Sequence, residues 1–122
     1  MSETFRAVTI SDGELVLADR DCVTPSAGQA VVAVAAAGLN AADLLQRRGF
    51  YPAPPGWPTD IPGLECAGTV LRVGEGVDPS LVGQRVAAIV GGGGQAGECV
   101  IPAAHLLRLP DTVQWSSAGG FA

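Results

Sequence analysis

Apolar and polar positions along this chain change over in short runs. Phe5 to Ile10, Leu15 to Ala18, Gln29 to Ala37, Cys66 to Val73, Arg85 to Val90, Gly97 to Ile101 and Leu106 to Leu109 are each bounded by Gly, Pro, Asp or Ser. Runs of this length between turn-forming residues predict strands, and their even spacing predicts a barrel or sandwich rather than an alternating α/β sheet. One segment breaks the pattern. Asn40 to Arg48 predicts a helix, with Asn40 as its cap, Asp43 serving its first turn, Leu44 and Leu45 facing inward, and Gly49 as the stop. A second helix is expected to begin after Pro110-Asp111, within Thr112 to Ala122. Between these lies Tyr51 to Gly63, whose five prolines fix φ and remove backbone donors, predicting a stiff, exposed loop.

Composition narrows the picture. A chain of 122 residues fits one domain, and 48% hydrophobic against 16% charged residues describes a packed protein rather than a disordered one. The net charge is −5, with Arg supplying every basic side chain, so a phosphate backbone or anionic membrane surface is repelled and neither is an expected partner. The longest apolar run, Ala30 to Leu39, is well short of the roughly 20 residues that span a bilayer. Charges are scattered through the first twenty residues without an apolar core, so no signal peptide is recognised and cytoplasmic residence is expected. Cys22, Cys66 and Cys99 are odd in number and widely spaced, which predicts free, mostly buried thiols rather than disulfides or a zinc motif.

Several residues invite a chemical reading, and each has a plainer one. Gly91 to Gly94 suggests a phosphate loop, but the following Glu98 to Ile101 reads as strand where such a loop needs a helix, so a flexible turn is expected. Gly74-Glu75-Gly76 reads as a turn, His105 as a strand-edge residue, and Cys66 and Cys99 as packing. Glu65 is expected to pair with an arginine or with backbone N–H groups, with support of a site as the alternative. Asn40 serves as a cap in the plain reading. Tyr51, the one tyrosine, either covers surface or offers its phenol to a carbonyl oxygen that gains charge.

Taken in order, Ala36 to Asp43, Arg48 to Pro52, Ile61 to Gly74, Val82 to Val86, Gly94 to Val100 and Leu109-Pro110 resemble the catalytic-domain signature of quinone oxidoreductases. These belong to the medium-chain dehydrogenase/reductase superfamily. The resemblance implies a mainly β fold, a GroES-like, partly closed β-barrel with one short helix over residues 1–122, ending where a helix would lead into a Rossmann domain. It implies an enzyme in which hydride passes from NADPH to a quinone or other α,β-unsaturated carbonyl, with Asn40 and Tyr51 as both catalytic and cofactor-binding residues. Zinc-dependent relatives place Cys where Asn40 stands and His where Leu64 stands, so no zinc is expected. The resemblance further implies a small-molecule quinone or enone partner and a homo-oligomer at full length. An enoyl-thioester reductase and a free-standing GroES-like binding module are the alternatives. On this reading these 122 residues are inactive alone, bind NADPH weakly, and leave an apolar patch exposed near Trp115 and Phe121.

Overall fold

Seven strands and two short helices form in the computed structural model, which describes residues 3–49 and 53–118. The strands are β1 (Thr4–Ser11), β2 (Glu14–Asp21), β3 (Gln29–Ala37), β4 (Glu65–Val73), β5 (Arg85–Ile89), β6 (Glu98–Pro102) and β7 (Leu107–Arg108). The helices are α1 (Ala41–Arg47) and the single turn α2 (Trp115–Ala118). Each strand run expected from the sequence forms, with ends displaced by a few residues at most. His105 is a correction: it lies exposed in a one-turn 3-10 helix, Ala103–His105, rather than on a strand.

The sheets are two, and the barrel is not closed. β1 and β2 make an antiparallel hairpin, while the others form a five-stranded antiparallel sheet in the order β6-β3-β4-β5-β7. Asp12 and Gly13 connect the hairpin with φ of 50° and 77°, the left-handed pair that matches the twist of a two-residue turn. A bridge between Ala7 and Ala96, with Val8 N–H donating to Gln95 O at 2.9 Å, ties the hairpin to the approach to β6.

Period-two alternation sorts the large sheet's side chains. Ala30 and Val32 of β3, Cys66 and Val70 of β4, Val86 and Ala88 of β5, and Cys99 and Ile101 of β6 share one buried cluster. Burial of each Val or Ile side chain there contributes about 1.5–3 kcal/mol. On the opposite face, Ala67 and Ala87 meet Ala118, Leu109, Val113 and Trp115. Small residues on the strands let the C-terminal segment lie close.

Arg85 anchors that segment. It donates to Pro110 O at 2.9 Å and to Val113 O, and its guanidinium stacks 4.1 Å from the Trp115 ring centroid. Trp115 is half-buried, and Phe121, the other residue of the expected apolar patch, lies outside the described residues.

The glycine tract corrects the expectation of a flexible turn. Gly92, Gly93 and Gly94 are buried, and Gly93 N–H, Gly94 N–H and Gln95 N–H donate to Ile61 O, Gly63 O and Pro62 O at 2.8, 3.1 and 3.0 Å. A Cβ on Gly91 would stand 2.5 Å from Trp57 Cδ1, and one on Gly92 would stand 2.9 Å from Pro58 O. The tract is glycine because the proline-rich loop packs onto its backbone. That loop is exposed over Pro54 to Gly56, but Ile61 to Gly63 is buried beneath the tract.

Candidate functional site

Three separate segments meet at the start of α1: the β3–α1 turn, the first residue of β4, and the stretch leading into β6. The backbone closes part of the arrangement, since Gly38 N–H donates to Glu65 O at 3.2 Å. A Cβ on Gly38 would lie 2.1 Å from Glu65 Oε1, so the carboxylate occupies the space that a side chain would need.

Asn40 does not cap α1 with its side chain as expected. Its Nδ2 is turned to Glu65 Oε1 at 3.4 Å, and the capping runs the other way, with Asn40 N–H donating to Asp43 Oδ2 at 2.9 Å. This is the returning half of a capping box, in which a carboxylate early in the helix satisfies the N–H that precedes it. Asp43 thus serves the first turn, as anticipated. Gln95 Nε2 also donates to Asp43 Oδ2, at 3.1 Å. Asp43 Oδ1 is buried and has no hydrogen-bond partner among the described residues. Among the described residues, Glu65 meets the Asn40 amide rather than an arginine.

The polar grip on α1 explains a second correction. Asp43 and Arg47 are four residues apart and share a face. Asp43 reaches Gln95, while Arg47 Nε donates to Gly13 O at 2.7 Å and its guanidinium lies 3.6 Å from Glu14. That face is the inward one, which leaves Leu44 and Leu45 57% and 43% exposed instead of buried. Leu39, beside Asn40, is 86% exposed. It stands at the edge of a shallow cavity of about 370 Å³ that Val34, Ala37, Gly94 and Gln95 also line.

Asn40 is thus held in an open, partly apolar setting. Tyr51, the other expected site residue, lies outside the described residues, so the structure does not bring it to Asn40 or separate it. Sequence reasoning assigned no role to Gln95. Its contact with Asp43 crosses fifty-two positions and leaves no local signal. A second cavity of about 590 Å³ lies between the hairpin, β6 and the proline-rich loop, walled by Phe5, Trp57, Ile61 and Val100, and does not include Asn40 or Glu65.

Among the described residues no three His, Cys, Asp or Glu side chains converge as metal ligands. Leu64 N-terminal to Glu65 is apolar, and Asn40 faces Glu65 with an amide nitrogen that carries no free lone pair for a metal. Cys66 and Cys99 are buried free thiols, and contact with Cys66 together with burial pushes the Cys99 thiol far above its ordinary range. Both thiols pack within the buried apolar cluster of the large sheet.

Residues 26–111 match the model of the alcohol dehydrogenase GroES-like domain. The quinone oxidoreductase-like protein 2 homolog of Nematostella vectensis is 35% identical over 124 residues, covering 98% of this chain and 34% of that protein. Among solved structures, the quinone oxidoreductase of Pseudomonas syringae superposes with a TM-score of 0.80 at 34% identity, over 98% of this chain and 37% of that one. The human synaptic vesicle membrane protein VAT-1 homolog-like protein superposes with a TM-score of 0.85 at 31% identity, over 96% of this chain and 39% of that one. The chain spans about a third of the length of the curated relative from Nematostella vectensis. The open two-sheet fold with one short helix beside it, and a family match running through five of its seven strands, lead to one assignment: the chain belongs to the alcohol dehydrogenase GroES-like domain family, the N-terminal domain of the medium-chain dehydrogenase/reductase superfamily.

Proposed function

We propose that the chain is the catalytic-domain portion of an NADPH-dependent oxidoreductase that reduces a quinone or other α,β-unsaturated carbonyl without zinc, and that a Rossmann domain completes it. The observation that carries this reading is the Asn40–Glu65–Asp43–Gln95 arrangement, which turns the Asn40 amide to Glu65 beside the exposed Leu39. Relatives named as quinone oxidoreductases share this domain and support the choice of substrate class.

The residues present fit one end of the cofactor. Asn40 offers a neutral amide and Leu39 an apolar surface, which suit an uncharged nicotinamide ring. They do not suit a diphosphate: the nearby charges are Asp43 and Glu65, and α1 is only seven residues long. NADPH is therefore held mainly by the second domain in this reading. When bound, the nicotinamide supplies hydride. The chain's own part is to orient the ring through Asn40, to cover it from water with Leu39, and to donate from the Tyr51 phenol to the acceptor's carbonyl oxygen as charge develops there. The protein works in the cytoplasm, as a homo-oligomer when full length.

NADPH-dependent reduction of menadione by the intact protein tests the reading. Tyr51→Phe is expected to lower kcat/KM by roughly 10- to 100-fold while folding is retained. Wild-type turnover in Tyr51→Phe removes the phenol from the mechanism, and absence of menadione reduction by the wild type removes the proposed activity.

A further inference from the structure

We propose that Glu65 is a positioning residue for Asn40: by taking the amide's Nδ2 it leaves Oδ1 as the group offered to a ligand, so that Asn40 selects ligands carrying an N–H donor, a primary carboxamide foremost. The occupant named here, the carboxamide of a nicotinamide, rests on the functional reading above.

Glu65 when ionised only accepts hydrogen bonds, so an amide facing it must present its NH2 end. The observed contact has that sense, with Asn40 Nδ2 donating to Glu65 Oε1. The amide is planar, which directs Oδ1 to the opposite side, and no described residue donates to it.

The surroundings keep this orientation. Gly38 N–H holds the Glu65 carbonyl, and the missing Cβ of Gly38 makes the space in which the carboxylate sits. Asp43 Oδ2 holds the Asn40 backbone N–H and is itself held by Gln95. Backbone and side chain of Asn40 thus each meet a carboxylate, Asp43 and Glu65, at a residue that is exposed to solvent. A fold that needed Asn40 only to begin a helix would aim its side-chain oxygen at the first-turn amides. Here the Asp43 N–H is met by the Asn40 backbone carbonyl at 3.0 Å, and the Asn40 side chain faces Glu65 instead of the first-turn amides.

Nuclear magnetic resonance titration distinguishes acceptor from donor. Reduced nicotinamide mononucleotide carries the carboxamide NH2, and its acetylpyridine counterpart keeps the carbonyl but lacks that donor. The wild type is expected to bind the carboxamide ligand about 5-fold more tightly, the scale of one hydrogen bond. In Asn40→Leu the ratio falls to about one. In Glu65→Gln it falls partway, since a glutamine no longer dictates which end of the amide faces it, and the side-chain amide resonances of Asn40 shift without any ligand. The double variant Asn40→Asp with Glu65→Gln restores the ratio, because the new amide donates to the carboxylate placed at position 40, which remains an acceptor. Urea midpoints of each variant separate loss of binding from loss of fold. A wild-type ratio near one with binding at Asn40, or a ratio unchanged in Asn40→Leu, overturns this inference and leaves the functional reading standing. Failure of both ligands to bind the intact two-domain protein at millimolar concentration overturns both.

Discussion

Replacing Gly63 by Ala probes the contact between the proline-rich loop and the glycine tract. Gly63 has a φ of +110°, and a Cβ there would lie 2.5 Å from Gln95 N and 2.9 Å from the Gly94 carbonyl carbon. Both obstacles are backbone, so neither can rotate away as a side chain would. Three costs follow. Holding an alanine in that region of φ costs about 1–3 kcal/mol. Pushing two backbone segments apart costs about 1–3 kcal/mol as overpacking. The bond from Gln95 N–H to Pro62 O, now 3.0 Å, is broken or stretched, for about 1 kcal/mol. The sum, about 3–7 kcal/mol, is a large part of the roughly 5–15 kcal/mol that stabilises a domain. Urea denaturation followed by tryptophan fluorescence measures it; at a slope of about 2 kcal/mol/M the midpoint falls by about 1.5 M or more. Gly76→Ala is the control, since Gly76 has a φ of +83° but nothing within 4 Å of a new Cβ. Its cost is the strain alone, about 1–2 kcal/mol. If Gly63→Ala proves no worse than Gly76→Ala, the close packing of loop on tract is refuted.

Other substitutions test the remaining contacts. In Gly38→Ala the nearest obstacles are Glu65 side-chain atoms, which can rotate away, so its urea midpoint should fall by less than that of Gly63→Ala, while the Asn40 side-chain amide resonances should move as the carboxylate is displaced. Arg85→Ala removes the stacking on Trp115 and two hydrogen bonds to the C-terminal segment; a loss of about 1–3 kcal/mol, with faster amide exchange at Val113 and Ala118, is expected. Elemental analysis of chelator-washed protein should find zinc far below one equivalent, and a stoichiometric content would show that ligands converge from residues outside those considered.

Much of the fold was legible in the sequence because strands declare themselves locally. β3 was readable from Gln29 to Ala37 without error, since the run of Ala and Val is bounded by Gly28 and Gly38. The hairpin joining β1 to β2 was also written there, in Asp12-Gly13, although only its strands were anticipated. What local pattern could not supply was the direction in which a short helix faces. Leu44 and Leu45 looked like a core face, but seven residues bury little surface, and contacts from Asp43 to Gln95 and from Arg47 to the hairpin turn decide the rotation. The glycine tract failed for a related reason: composition cannot distinguish a glycine needed for freedom from one needed for close approach. Asn40 was placed correctly at the start of α1, but its side chain was assigned to the wrong partner, because the Glu65 it faces lies twenty-five positions away.

The claim that matters most is that Asn40 and its neighbours, rather than the larger cavity beside Trp57, face the nicotinamide. Amide chemical-shift mapping with reduced nicotinamide mononucleotide decides it. The largest perturbations are expected on Leu39, Asn40, Asp43, Glu65 and Gln95. In the intact protein, perturbations centred on Phe5, Trp57 and Val100, or none at millimolar ligand, would contradict it.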